Sequence, residues 1–155
     1  MAITDSLTGL PNRRHFHQAY VASLGQSIAD NVPLALMLID IDHFKAINDR
    51  DGHPAGDDKL RQVAGALHAV VRRGDLVARY GGDEFIVISP DATREGALAL
   101  AERLRQAAVS CDASVSIGVA LFPDDAQMQD RLIAAADAAL YRAKRAGRNC
   151  VRDAA

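Results

Sequence analysis

Several features that would each mark a definite class are missing from this chain. No apolar run approaches the roughly 20 residues that a membrane-spanning helix needs; the longest, Val32 to Ile39, has eight residues and contains Pro33. Cysteine occurs only at Cys111 and Cys150, with no C-x-x-C, which excludes a disulfide scaffold or a structural zinc site and fits two free thiols in a reducing cytosol. Neither sign of charge is in surplus: 18 Lys and Arg stand against 20 Asp and Glu, for a net charge of −2. A nucleic-acid polymer, which demands a large basic excess, is therefore not the expected partner. The start, Met1 to Asp5, lacks the basic and apolar regions of a secretion signal. There is no internal repeat and no linker. What remains is an ordinary globular composition, 49% hydrophobic and 25% charged, in 155 residues that make one domain over positions 1–155.

Apolar spacing predicts the elements. Asn12 to Ala29 reads as a helix, with Phe16, Ala19, Tyr20 and Leu24 at helical intervals after a Pro11-Asn12 start. Leu34 to Ile41 is an unbroken apolar run, as in a strand covered on both faces. A polar stretch with a short helix follows from Asp42 to Asp58, then a helix from Leu60 to Arg72 that Gly74 ends. Leu76 to Tyr80 and Phe85 to Ser89 read as two strands of a hairpin, whose Gly81-Gly82 pair is expected to supply positive φ in a primed turn. A helix from Thr93 to Val109, a strand from Ser114 to Phe122, a helix from Gln127 to Ala146 and a short edge strand at Asn149 to Val151 complete the order. This predicts an α+β fold: a ferredoxin-like or palm β-α-β-β-α-β core with a mostly antiparallel sheet flanked by helices.

That core makes the first strand a neighbour of the hairpin, so Asp40 and Asp42 at one strand's end approach Asp83 and Glu84 on the turn. Clustered carboxylates repel unless a cation neutralises them, and oxygen ligands suit Mg²⁺ or Mn²⁺. Asp40 with Asp83 reads as a metal pair; Asp42 alone reads as an ordinary acid at a strand end. Lys144 and Arg148, four apart at a helix end, have a plain reading as cations complementing a helix carboxyl terminus. Asn48 and Asp57 read alone as turn or cap residues.

Gly81-Gly82-Asp83-Glu84-Phe85 is the signature of the GGDEF family, the diguanylate cyclases. Asp5-Ser6-Leu7-Thr8-Gly9-Leu10-Pro11-Asn12-Arg13-Arg14 resembles the family's amino-terminal element. Asp40-Ile41-Asp42-His43-Phe44-Lys45-Ala46-Ile47-Asn48-Asp49, Gly52-His53, Gly56-Asp57, Ser116-Ile117-Gly118-Val119, Ala136-Asp137 and Tyr141 through Asn149 follow in order, so the resemblance runs from Asp5 to about Val151.

The resemblance implies condensation of two GTP into cyclic di-GMP with release of two pyrophosphates, across a homodimer of domains. It implies metal ligands at Asp40, the Ile41 carbonyl and Asp83, holding Mg²⁺ or Mn²⁺, two ions per active site. Asp83 is then the acceptor of the 3′-hydroxyl proton, with Glu84 in support. His43, Phe44 and Lys45 would offer backbone N–H groups to phosphate at a helix start. Asn48, His53 and Asp57 fall at guanine-contacting positions, where a carboxylate accepts from the paired N1–H and N2–H donors that adenine lacks. Lys144 and Arg148 match the grip on the β and γ phosphates. Arg72 and Asp75 form an R-x-x-D four residues ahead of Tyr80-Gly81, the family's inhibitory site for the product. Family members carry a sensory or dimerising region ahead of this domain, and four residues precede Asp5 here, as expected of an excised catalytic unit. The domain itself is expected to be cytoplasmic and without membrane contact, whether or not its parent is anchored. The competing reading is a catalytically inactive GTP or cyclic di-GMP sensor, against which the intact acids and bases speak. A palm-like polymerase or adenylyl cyclase is a third, disfavoured by the guanine pair and the near-neutral charge.

Overall fold

The computed structural model describes residues 2–155. The elements run α1 (Arg13–Asp30), β1 (Leu34–Ile41), α2 (Phe44–Asp51), α3 (His53–Val70), β2 (Leu76–Arg79), β3 (Glu84–Pro90), α4 (Arg94–Ser110), β4 (Val115–Phe122), α5 (Gln129–Arg145) and β5 (Val151–Asp153). The sheet order is β2-β3-β1-β4-β5; β1 pairs antiparallel with β3 and β4, β2 with β3, and β5 adds in parallel to β4. This is the α+β arrangement expected, with the fifth strand two residues later than its sequence position suggested.

Alternate side chains on each strand enter opposite cores, the period-2 consequence of the pleat. Ala35, Met37, Ile39 and Ile41 join residues of α3 and α4, whereas Leu34, Leu36 and Leu38 join Phe16, Tyr20, Leu132 and Leu140 of α1 and α5. Burial on both faces is why β1 is apolar throughout, all eight positions being buried. The even positions lead to Asp40, which therefore emerges on the α5 face at the carboxyl end of the strand. The Tyr20 hydroxyl ties α1 to α5 by donating to the Gln129 carbonyl at 2.7 Å.

Local details differ from the sequence expectation at three places. The third helix begins at His53, seven residues early, because Pro54 in the first turn needs no N–H partner there. It ends at Val70, where Val71 turns extended at ψ 144°, and Gly74, at φ +95°, belongs instead to the turn that follows. The Gly81-Gly82 pair does not adopt positive φ. At Gly81 a Cβ would lie 2.5 Å from Glu84 Oε1, so its absence leaves room for the end of the signature acid to fold back over the turn.

Candidate active site

The β1–β3 register sets Asp40 directly across from Glu84, and the Ile41 N–H donates to the Asp83 carbonyl at 3.1 Å, pinning the turn to the end of β1. Asp40 is buried, its Oδ2 paired with Lys144 Nζ from α5 and its Oδ1 buried without a partner. Burial pushes the Asp40 carboxyl up to about 6 against the pull of Lys144, and the adjacent Asp83 carboxyl pushes in the same direction. Glu84 is likewise raised, by burial first and then by the Asp40 charge, with Lys144 opposing. Lys144 stays above its ordinary value although burial works against it, because Asp40, Asp83 and Glu84 all favour its charge. One lysine thus faces three acids.

An ion would fit here by its chemistry. The orphaned Asp40 Oδ1 is a buried oxygen lacking a donor, and Asp83 supplies a second carboxylate beside it. No group of three His, Cys, Asp or Glu side chains able to hold a metal occurs among the described residues. A cation at this point would take its remaining oxygens from a carbonyl, water or a phosphate, the habit of Mg²⁺.

The hairpin has a clamp that sequence spacing alone did not reveal. Arg79 donates to the carbonyls of Gly81 at 3.2 Å and Gly82 at 2.8 Å, while Nη1 holds both Asp5 oxygens at 3.1 and 3.2 Å. Asp5 in turn caps Thr8 through its N–H and hydroxyl at 2.9 and 2.7 Å. The guanidinium of Arg13 lies 4.1 Å from the centre of the Tyr80 ring, beside the same turn. The amino-terminal element and the signature are therefore one structure; the signal available in the sequence was an arginine two residues before the glycines and an acid at the start.

Across the site, His43 sits at φ +57° and leads into α2 with no side-chain cap, leaving the first N–H groups of Phe44 and Lys45 open to an anion. Asn48 on α2 abuts Gly56 on α3: a Cβ on Gly56 would fall 1.8 Å from Asn48 Oδ1, which is buried and unpartnered. Asp57 follows on the same turn, and His53 is exposed at the start of α3. Arg148 is exposed, at φ +64°, beyond the end of α5. Asp42 is not the ordinary solvated strand-end acid of its plain reading: it is buried and accepts from two serines and the Asn149 N–H.

Arg72 and Asp75 lie away from this cluster, at the turn between α3 and β2. Asp75 is fully buried at its side chain and already satisfied: Oδ1 accepts from Arg72 Nε at 3.0 Å and Ser89 Oγ at 2.8 Å, and Oδ2 from the Arg72 N–H at 3.0 Å. Arg72, also bonded to the Pro90 carbonyl, remains half exposed at 51%. Asp75 thus shapes the turn and Arg72 is the member turned to solvent.

The family described as "Diguanylate cyclase, GGDEF domain" matches residues 2–150. This chain is a GGDEF domain. It is 41% identical to the diguanylate cyclase DgcP of Pseudomonas aeruginosa over 96% of its own length, which is 23% of that protein. Among solved structures it superposes on the GGDEF domain of TpbB (YfiN) from Pseudomonas aeruginosa with a TM-score of 0.93 at 40% identity, covering 98% of this chain and 94% of that one. It also superposes on the GGDEF domain of DgcB from Caulobacter crescentus, solved in complex with c-di-GMP, with a TM-score of 0.92 at 32% identity, covering 99% and 94%. The domain spans only about a quarter to a third of the curated relatives it matches. No helix among its described residues is long and apolar enough to cross a membrane.

Proposed function

We propose that this GGDEF domain is a cytoplasmic diguanylate cyclase that joins two GTP into cyclic di-GMP across a pair of facing domains. The observation that carries the reading is the buried, half-satisfied Asp40 beside Asp83 and Glu84, with Lys144 paired to it. Asp40, Asp83 and the Ile41 carbonyl would hold Mg²⁺ or Mn²⁺, two ions per site, which supplies charge neutralisation at phosphorus and acidifies the attacking hydroxyl. Asp83 accepts the 3′-hydroxyl proton; the O3′–Pα bond forms as the bond from Pα to the bridging oxygen breaks, and pyrophosphate carries away the electron pair. Glu84 keeps the acidic site filled behind it. The open N–H groups after His43, at Phe44 and Lys45, receive phosphate oxygens, and Lys144 and Arg148 grip the β and γ phosphates. Asn48, Asp57 and His53 read guanine from the α2–α3 corner. For Asn48, the unpartnered Oδ1 is a ready acceptor for a base N–H.

The test is incubation of the purified chain with Mg²⁺ and GTP or ATP in parallel, as it stands and fused to a dimerising coiled coil. Cyclic di-GMP is expected from GTP alone, faster in the fused form. No product from the forced dimer overturns the cyclase reading and leaves a nucleotide-binding module.

Product inhibition is the second part of the proposal. Arg72, the solvent-facing member of the R-x-x-D turn, presents Nη1 to cyclic di-GMP while Asp75 holds it in place. Losing one charge-assisted hydrogen bond costs about 1.5–3 kcal/mol, so Arg72→Ala should raise the half-inhibitory concentration of added product at least tenfold. An unchanged value removes Arg72 from the inhibitory site.

A further inference from the structure

Asp42 takes part in none of those steps, yet it is 94% buried, with a residual exposure of 6%. Its Oδ2 accepts from the Ser114 hydroxyl at 2.5 Å and the Asn149 N–H at 2.9 Å, and its Oδ1 accepts from the Ser116 hydroxyl at 2.6 Å. Its own N–H donates to the Ser114 carbonyl at 2.8 Å. The carboxylate therefore joins the end of β1, which carries Asp40, to β4 and to the turn after α5.

That turn is backbone under strain. Gly147, Arg148 and Asn149 stand at φ +111°, +64° and +45°, three successive left-handed residues of which two are not glycine. Such conformations persist only where their surroundings hold them. The holding groups include Asp42 on the Asn149 N–H, Arg105 Nη1 of α4 on Asn149 Oδ1 at 3.0 Å, and the Ile117 N–H on the neighbouring Cys150 carbonyl at 3.0 Å. The Ala143 carbonyl receives the Arg148 N–H at 3.1 Å. Arg105 is itself anchored on Glu102.

We infer that Asp42 is a positioning residue for the triphosphate: it fixes the Arg148 turn relative to the Asp40 strand, so that the cations and the carboxylates meet one ligand in register. This rests on the reading of Lys144 and Arg148 as phosphate-gripping. All three partners donate to it, and a carboxylate is acceptor only. An asparagine with its Nδ2 toward Ser116, whose hydroxyl can reverse to accept, still keeps an oxygen on Ser114 and the Asn149 N–H. An alanine removes the tie.

The test compares Asp42→Ala, Asp42→Asn, Ser116→Ala and Arg148→Ala in the full chain by calorimetry with Mg²⁺ and two probes, the α,β-methylene analogue of GTP, and GMP. Asp42→Ala is expected to weaken the triphosphate analogue at least tenfold while leaving GMP unchanged, and Asp42→Asn, which keeps an acceptor on the Asn149 N–H, to restore most of that binding. Ser116→Ala, which takes a hydrogen bond from the same carboxylate without touching the turn, should stay within twofold for both. A folded Asp42→Ala that binds the analogue like the parent, or loses GMP equally, overturns the inference. If Asp42→Ala does not fold, Asp42→Ser, whose shorter side chain falls short of the Asn149 N–H, takes its place with the same expected and overturning results. Should Arg148→Ala bind the analogue as tightly as the parent, the phosphate reading itself fails; loss in Arg148→Ala but not in Asp42→Ala refutes the positioning role alone.

Discussion

Asp40→Asn should bring cyclic di-GMP formation down by about a thousandfold or more, since several kcal/mol of metal-borne charge stabilisation vanish at about 1.36 kcal/mol per tenfold. The substitution keeps the side chain's volume and its place at the end of β1. It removes the negative charge beside Asp83 and Glu84, which relieves their repulsion, and it ends the ion pair with Lys144. These two effects on folding oppose one another, so the thermal midpoint is expected within a few degrees of the parent. Asp83→Ala should abolish turnover to a similar degree, and the double variant should be no worse than either alone, because both act on one ion and one proton transfer. Turnover measured at saturating Mg²⁺ and GTP in the dimerised form decides it. Activity in Asp40→Asn within tenfold of the parent would take Asp40 out of the metal site.

Gly118→Ala is expected to be among the most damaging single-methyl additions in the chain. Gly118 lies on the α5 face of β4, and a Cβ there would be 2.2 Å from the Ala136 carbonyl oxygen and 2.3 Å from the Leu140 nitrogen. Both are helix backbone, which cannot rotate aside, so α5 would have to lift off the sheet. Overpacking of this kind costs about 3 kcal/mol, and for a chain of this size that corresponds to a midpoint lower by roughly 6–12 °C. The damage should extend to ligand binding, since α5 carries Lys144 and leads into Arg148. Gly25→Ala is the control: this glycine lies exposed inside α1 with nothing within 4 Å of the added carbon, so the change should stabilise by up to about 1 kcal/mol. Thermal unfolding of the two variants should move in opposite directions. A Gly118→Ala midpoint equal to the parent's would mean that the β4–α5 contact is looser than the structure has it.

The number and kind of elements were legible along the chain because burial leaves a periodic trace. The doubly covered β1 has no polar position before Asp40, and the stripe of Phe16, Tyr20 and Leu24 marks the face of α1 that packs. Element ends were less legible. The early start of the third helix at His53 was illegible because its buried position before Leu60 is Gly56, which leaves no apolar signal. The approach of Asp40 to Asp83 and Glu84 followed from topology, since the β-α-β-β core leaves β3 beside β1.

The even balance of charge averages two opposite districts: Asp40 to Asp58 holds six aspartates against Lys45 and Arg50, and Arg142 to Arg152 holds five bases and no acid. Residue order alone supplied those districts, the strand–hairpin neighbourhood and the family. It was silent on what holds them in register, because those contacts join residues far apart in the chain and leave no periodic mark. Arg79 reaches Asp5 across 74 positions and Asp42 reaches Asn149 across 107. Gly56 and Gly118 are glycines because a neighbouring helix occupies the space a methyl group would take. Only folding brings those helices there.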